Sequence, residues 1–143
     1  MFSWSIEARC PTSAAKEEVW KLWANVATWP QWDHGLDWCR LEGPFAVGTK
    51  GTLQPTGSKP FPFVLTHVDP GHGYIDVTQL PLTKLIFTHK LHKLSNVKCE
   101  IHHQARCTGL LAPLLYFNLR RALKKGMPQA VAHLAQLAER GGK

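Results

Sequence analysis

The hydrophobic pattern of residues 113–143 predicts one long amphipathic helix. Apolar side chains recur there at steps of three and four residues, which places them on one helical face. They are Leu115, Leu119, Leu123, Met127, Ala130, Leu134 and Leu137. Pro128 lies inside this segment and removes a backbone hydrogen bond, so we expect a kink near Gly126. A helix with such a broad apolar face requires a large apolar partner.

The preceding chain alternates between apolar and polar residues, as strands do. Phe2, Trp4, Ile6 and Ala8 alternate with polar residues and predict a first, half-buried strand. Turn-forming residues separate six further segments of strand character. These predicted strands lie near residues 36–43, 48–55, 61–69, 72–79, 84–94 and 97–108. Their spacing of about ten residues is typical of an antiparallel meander.

Two short helices are predicted between the first and second strands. Ser13 is expected to cap the first helix, and Trp29-Pro30-Gln31-Trp32 to end it and begin the second. The apolar face of the first helix consists of Ala15, Val19, Leu22, Trp23 and Val26. Helices on one face of an antiparallel sheet make an α+β fold. A curled sheet around a kinked helix leaves space for an apolar small molecule.

Composition and length indicate one globular domain over residues 1–143. The chain has 143 residues and 44% apolar residues, enough for a core and too many for a disordered segment. No stretch approaches the ~20 apolar residues of a membrane span, and the N-terminus lacks a signal-peptide pattern. The cysteines show no metal-binding spacing. Because no export signal is present, we expect them to be reduced thiols in a cytoplasmic protein. They are Cys10, Cys39, Cys99 and Cys107.

The net charge of +7 is unevenly distributed along the chain. Residues 1–83 contain six Lys/Arg and eight Asp/Glu, whereas residues 84–143 contain eleven Lys/Arg and only Glu100 and Glu139. We interpret the basic half as the solvated faces of a helix and strands, because no RNA-binding motif accompanies it. No nucleic-acid partner and no stable membrane insertion are expected. The alternative is an interaction module in which residues 120–125 contact an acidic protein or an anionic membrane.

Four local stretches resemble the START-like, helix-grip (SRPBCC) superfamily, which includes pollen allergens, lipid-transfer domains and polyketide cyclase/dehydrase proteins. They are VWKLWANVATWPQWD (19–33), LEGPFAVGTKGTL (41–53), LIFTHKL (85–91) and IHHQARCTGLLAPLL (101–115). The resemblance covers nearly the whole chain. It implies a curved antiparallel seven-stranded sheet around the long C-terminal helix, with two short helices after strand 1. Because this fold hosts carriers, sensors and enzymes, it implies no single function.

His89 and His103 are the sharpest candidates for chemistry. Parity places His89 on one face of its strand with Leu85, Phe87 and Leu91. It places His103 on one face with Val97, Cys99, Ile101, Ala105 and Cys107. These apolar faces must look toward the helix, and a turn around Ser95 would set His89 across from Ile101 and diagonal to His103.

Both imidazoles are therefore expected in the cavity, a few ångströms apart. A neutral histidine there accepts a proton, and a protonated one polarises a carbonyl. The alternative is two buried histidines that are hydrogen-bonded within the core. Tyr74 and Asp76 join them if their face of the strand looks inward. If it looks outward, Ile75 and Val77 line the cavity instead, and the pattern leaves both arrangements open.

Other candidate residues carry weaker patterns. Trp29, Trp32 and Trp38 either rim the mouth of the cavity or belong to the core. No metal site is expected, because His102 and His103 point to opposite faces and no element carries an HxH or HxxxH pair. The sequence also lacks a nucleophile elbow and a phosphate-binding glycine motif. We expect no cofactor.

The first interpretation is a protein that binds a hydrophobic or aromatic small molecule between the sheet and the C-terminal helix. The second, implied by the resemblance, is a cofactor-free cyclase or dehydratase in which His89 and His103 act as acid and base. The residues expected to contact the ligand are Trp29, Trp38, Tyr74, Asp76, Phe87, His89, Ile101, His103, Leu119, Leu123 and Met127.

Overall fold

The computed structural model describes residues 2–141 and contains an antiparallel sheet that curls around a long C-terminal helix. Its strands are β1 (Ser3–Thr12), β2 (Leu36–Leu41), β3 (Lys50–Pro55), β4 (Phe61–Asp69), β5 (Gly73–Leu80), β6 (Thr83–Lys93) and β7 (Cys99–Gly109). Its helices are α1 (Lys16–Ala24), α2 (Trp29–Trp32) and α3 (Ala112–Gly141), with a 3-10 turn at Val26–Thr28. The predicted α+β helix-grip architecture is confirmed.

The seven strands lie in the order β1-β7-β6-β5-β4-β3-β2. Strands β2 to β7 form the predicted meander, and their bounds differ from the predicted ones by at most two residues. Strand β1 pairs with β7 along its whole length, so the first strand closes the sheet beside the last one. The predicted helix also included residues 142 and 143, which lie outside the described residues.

The β6–β7 hairpin has a different register from the predicted one. His89 lies directly opposite His103, and Leu91 lies opposite Ile101. The turn is centred on Asn96, because Leu94 and Ser95 both donate backbone hydrogen bonds to the carbonyl of Lys98. A shift of two residues leaves every side chain on its predicted face.

Three local predictions at the ends of elements are wrong. Val97 is 74% exposed, because it lies in the β6–β7 turn before β7 begins. Phe2 is 49% exposed, because it precedes β1. Ser13 does not cap α1, which begins after Ala15 without a side-chain cap. Instead, the backbone N–H of Ser13 donates to the carboxylate of Glu139, at 3.3 Å, near the end of α3.

Helix α3 is one continuous element that contains Pro128 in its interior, and the kink near Gly126 stays a prediction. Its second half packs into the main core, where Val131, Leu134 and Ala138 are almost fully buried. The partly buried leucines of its first half pack against a smaller cluster that contains Trp4, Leu85 and Cys107, and they also line a cavity. The fold thus positions a site beneath the first half of α3.

Candidate functional site

A cavity of about 880 Å³ lies between the first half of α3 and the concave face of the sheet. Its wall is mostly apolar, since inward-facing positions of the strands and one face of the helix supply it. The apolar lining includes Leu36, Leu53, Phe61, Leu80, Leu85, Phe87, Leu115, Leu119, Leu123 and Met127. Most strand residues in it come from the start of β2, β4 and β6 and the end of β3 and β5, so the cavity lies toward one end of the sheet.

Small residues on the cavity side of α3 keep this space open. Ala122 and Gly126 both line the cavity. A Cβ atom added at Gly126 would meet no atom within 4 Å. Both residues are exposed, so the small side chains at these positions leave open space beside the cavity.

His89 and His103 form the polar inner wall of the cavity. Their strands place them directly opposite each other, and their ring centroids are 4.6 Å apart at an interplanar angle of 77°. The ring of Tyr74 stacks on that of His89, with centroids 3.9 Å apart. Nδ1 of His89 lies 3.4 Å from the carbonyl oxygen of Tyr74. The two imidazoles are thus held at fixed positions by packing.

The face of β5 that the sequence left open looks inward. Tyr74 and Asp76 are 1% and 2% exposed, while Ile75 and Val77 are only partly buried on the other face. Oδ2 of Asp76 lies 3.9 Å from Nδ1 of His89. A carboxyl group and an imidazole therefore meet at the inner end of the cavity.

Burial keeps this polar wall uncharged near neutral pH. Loss of hydration raises the pKa of Asp76 to about 8 and lowers the pKa of His89 to about 3. The pKa of His103 lies well below its usual value, first through burial and then through repulsion from His89. Desolvation thus outweighs attraction between Asp76 and His89 at this distance. The wall offers a protonated carboxyl as a donor and neutral imidazoles as acceptors.

Several buried polar atoms in the cavity lining have no hydrogen-bond partner within residues 2–141. They are Nε1 of Trp32, Oγ1 of Thr78, Nε2 of His103 and Nδ1 of His133. Nε1 of Trp23 and the hydroxyl of Tyr74 also lack a partner there, but they belong to residues outside the lining. A buried polar group is costly unless it is hydrogen-bonded. The residues that line the cavity thus carry hydrogen-bonding groups that the protein itself does not satisfy.

A second polar group lies away from this inner wall. The ring of His34 stacks on that of His133, with centroids 4.2 Å apart. Nearby, a carboxylate oxygen of Asp33 accepts a hydrogen bond from the backbone N–H of Gly35 at 3.1 Å, and burial raises the pKa of Asp33. Asp33, His34 and His133 all line the cavity. The cavity therefore has polar groups in two places.

Sequence reasoning missed Thr78, Asp33, His34 and His133 as cavity residues. Thr78 shares its strand parity with Tyr74 and Asp76, and this parity would have identified it once one of them was known to face inward. His133 follows Ala130 by three residues and so shares the cavity face of α3. No comparable pattern marks the loop residues Asp33 and His34.

Most of the predicted ligand-contacting residues line the cavity. They are Trp29, Asp76, Phe87, His89, His103, Leu119, Leu123 and Met127. Tyr74 lies behind His89. Ile101 is fully buried opposite Leu91 and not opposite His89 as predicted, because the register is shifted by two residues. Cys39 takes the inward position on β2, so the neighbouring Trp38 faces the other side of the sheet. There the guanidinium carbon of Arg40 lies 4.3 Å from the centroid of the Trp38 ring. These three residues do not line the cavity.

The described part of the chain contains neither a cluster of metal-binding side chains nor an activated cysteine. Across residues 2–141, no three His, Cys, Asp or Glu side chains are arranged to hold a metal ion. The four cysteines are free, and burial raises the pKa of Cys39 to about 12, which keeps that thiol protonated. None of the helices in residues 2–141 is both long and apolar enough to cross a membrane.

Several solved structures share this fold at low sequence identity. An aromatase/cyclase, Zhui from Streptomyces sp. R1128, superposes with a TM-score of 0.80 at 11% identity, covering 99% of this chain and 97% of that one. A norcoclaurine synthase from Thalictrum flavum gives 0.75 at 13% identity, covering 99% and 98%. The di-domain aromatase/cyclase StfQ of the steffimycin pathway gives 0.78 at 18% identity, covering 99% of this chain and 52% of StfQ.

No curated protein matches the sequence. A family model described as "Polyketide cyclase / dehydrase and lipid transport" matches residues 3–139. Together with the cavity, this match fits a role in binding or cyclising a hydrophobic small molecule. The chain belongs to the polyketide cyclase/dehydrase and lipid transport family, within the START-like helix-grip superfamily.

Proposed function

We propose that this protein binds an uncharged, largely apolar molecule with one or more aromatic rings in the cavity beneath α3. One observation carries the proposal: the cavity wall is mostly apolar, and its lining also contains the polar residues Asp76, His89 and His103. The volume of about 880 Å³ lies within the range of about 300–1,000 Å³ that is usual for small-molecule sites. Such a wall supplies affinity through apolar burial and orientation through hydrogen bonds.

The protonation states of the inner wall favour an uncharged ligand. Asp76 is protonated and both inner histidines are neutral near pH 7. An ionised group placed there would lose its hydration without gaining an opposite charge. A hydroxyl or carbonyl loses less hydration and finds both donors and acceptors. The rings of Trp29, Trp32 and Phe87 in the lining favour a planar aromatic partner.

Binding of a neutral apolar fluorophore tests this proposal. We expect N-phenyl-1-naphthylamine to bind saturably with a rise in fluorescence. Leu119→Trp places a bulky ring into the cavity and should weaken binding about tenfold. The matched control is Leu114→Trp on the same helix, where the leucine is 69% exposed and outside the lining. Circular dichroism checks that both variants fold. Equal binding by both folded variants and the wild type would contradict the proposal.

A second candidate function is a cofactor-free cyclase or dehydratase. The observation in its favour is the contact of three titratable groups at the inner wall: His89 opposite His103, with Asp76 3.9 Å from His89. In such a reaction, the neutral imidazole pair of His89 and His103 removes a proton from a carbon next to a ketone. The C–H electrons form a C=C bond, the adjacent C–O bond breaks, and Asp76 donates its proton so that the hydroxyl leaves as water.

Turnover of a β-hydroxy ketone with an aromatic ring tests this second function. We expect the wild type to convert it to the enone, and His103→Gln and His89→Gln to lose most of the rate. Fluorophore binding should persist in both variants, which separates a chemical role from a structural one. No turnover by the wild type would exclude this reaction, and unchanged turnover in the two variants would exclude the histidines as its acid and base. Either result would leave the binding proposal standing.

A further inference from the structure

We propose that one end of the molecule docks on anionic membranes and presents the cavity to the lipid surface. The docking surface, here called the apolar end, consists of Phe2, Leu82, Leu110, Leu114, Tyr116 and Phe117. This proposal goes beyond ligand binding, because it states where an apolar ligand is collected or delivered. The sequence analysis considered only a basic surface at residues 120–125, whereas the structure shows exposed apolar side chains as well.

The apolar end is assembled from separate segments that touch each other. Leu82, Leu110, Leu114 and Phe117 are each between 68% and 73% exposed. The β5–β6 turn and the β7–α3 turn are joined, since Leu110 donates a backbone hydrogen bond to Leu82 at 2.9 Å. The ring of Tyr116 bridges Phe2 and Phe117, with centroid distances of 6.3 Å and 5.3 Å. Contiguous exposed apolar side chains of this kind mark interaction sites.

Leu82 is held in an unusual backbone conformation at this surface. Its φ of 54° is the one positive value at a non-glycine residue in the described part of the chain. Glycine adopts this region without strain, whereas leucine does not. The strained turn nevertheless presents a leucine that is 70% exposed. Contact between the Leu82 side chain and an apolar partner would explain why a leucine, and not a glycine, occupies this position.

The chain segments around the β5–β6 turn and the first half of α3 are mostly basic, although Glu7 of β1 lies beside Arg120 and Lys124. Between Asp76 and Glu139, the only acidic residue in the sequence is Glu100. Glu100 lies at the opposite end of the sheet, where it binds Arg9 at 3.1 Å. The basic residues on the first half of α3 and the start of β6 are Lys84, Arg120, Arg121, Lys124 and Lys125. An anionic bilayer complements both features, because it offers hydrocarbon to the apolar side chains and phosphates to the basic ones.

The opposite end of the molecule provides a contrast. Its β6–β7 turn also exposes apolar side chains, with Leu94 at 52% and Val97 at 74%. Lys93 and Lys98 flank this turn, while Asp69 ends a nearby strand and Glu100 is paired with Arg9. Charge alone therefore does not separate the two ends. The apolar end differs in its larger set of exposed apolar side chains, six against two.

The apolar end also adjoins the cavity. Leu80 and Leu115 line the cavity, and each lies within two residues of an exposed leucine of the apolar end, Leu82 or Leu114. Contact with a membrane through these segments would bring the hollow next to the lipid. An apolar molecule would then move between bilayer and cavity with little exposure to water.

Co-sedimentation with large unilamellar vesicles tests the proposal. The wild type should bind vesicles of phosphatidylcholine mixed with phosphatidylserine, and bind pure phosphatidylcholine about tenfold more weakly. The double variant Leu114→Ser/Phe117→Ser should lose about tenfold in binding to the anionic vesicles. Its melting temperature and its fluorophore binding in solution should match the wild type, which separates membrane docking from ligand binding.

The matched control is Leu94→Ser/Val97→Ser, which removes two exposed apolar side chains from the opposite end. This control should bind anionic vesicles as the wild type does. Equal loss in both double variants, or no loss in either, would overturn the proposal. Binding that responds to salt but not to the Leu114→Ser/Phe117→Ser change would also overturn it, since it would indicate a charge-only contact of the kind expected for an acidic protein.

Discussion

The two halves of α3 have similar apolar periodicity but different surroundings. In residues 127–141, Val131, Leu134 and Ala138 are at most 1% exposed. In residues 112–126, Leu115, Leu119 and Leu123 are only partly buried, and Phe117 is 73% exposed. An apolar stripe is therefore not sufficient to predict a packed core. What the stripe faces decides whether it becomes core or the wall of a cavity.

The short helices account for this difference. Helices α1 and α2 contact α3 and occupy the concave face of the sheet at one end. Trp23 of α1 is fully buried in the same cluster as Leu134. The first half of α3 instead packs on the smaller cluster of Trp4, Leu85 and Cys107 and forms one wall of the cavity, whose lining also includes residues of α2. One half of the helix thus stabilises the fold, while the other encloses the site.

Truncation of one leucine in each half tests this contrast most strongly. Leu134→Ala removes a side chain that is 0% exposed, and it should lower the free energy of unfolding by about 3 kcal/mol. Leu119→Ala removes a partly buried side chain beside an existing cavity and should cost about 1 kcal/mol or less. Urea denaturation of the two variants measures both values. Equal losses would contradict the distinction between the halves.

The pH dependence of the free energy of unfolding tests whether Asp76 and the inner histidines are uncharged in the folded protein. The pKa of Asp76 rises from 3.8 to about 8 on folding, so the folded state binds an extra proton between these values. Stability must therefore fall as pH rises through this interval and level off above pH 8. The inner histidines have depressed pKa values, so they add a rise with pH that ends near their usual value of 6.5. The fall is thus most visible between pH 6.5 and 8.

Asp76→Asn isolates this effect. The wild type should lose about 2 kcal/mol of stability from pH 6.5 to 8 because of Asp76, at about 1.4 kcal/mol per pH unit. The variant should lose that much less over the same interval, since its amide does not titrate. Thermal or urea unfolding across this pH range measures the difference. Parallel curves for the two proteins would show that Asp76 is ionised in the folded state and that the wall is hydrated.

A smaller effect is expected where the two halves meet. Gly126 lies in the interior of α3, and an added Cβ there meets no atom within 4 Å. Gly126→Ala should therefore stabilise the protein by about 0.5–1 kcal/mol, because glycine is less favourable than alanine in a helix. Urea denaturation measures the change. A loss of stability would indicate that a bend at this junction requires glycine.

The sequence predicted the faces of the strands better than their pairing. Alternation correctly placed His89 and His103 inside, because a buried face must be apolar along its length. It placed His89 opposite Ile101 instead of His103, because the register depends on the length of the turn around Asn96. The sequence did not decide which face of β5 looks inward, since Tyr74/Asp76 and Ile75/Val77 are two alternating sets and either could face the cavity.

Long-range contacts account for the remaining differences. Ser13 has the chemistry of a helix cap, but its backbone and Thr12 instead bind Glu139, which is more than 120 residues away in the sequence. His34 and His133 meet only because a loop and a helix approach each other in the fold. Such contacts leave no periodic pattern, so reading one segment at a time does not reveal them.

Hydrogen exchange along α3 tests the central claim most directly. In the free protein, amides of residues 127–141 should exchange slowly and amides of residues 112–126 faster, since the second half packs in the main core and the first half only on a small cluster beside the cavity. Saturating N-phenyl-1-naphthylamine should slow exchange in the first half and leave the second half unchanged. Uniform protection of the whole helix in the free protein, with no change when the fluorophore binds, would contradict a ligand cavity beneath the first half of α3.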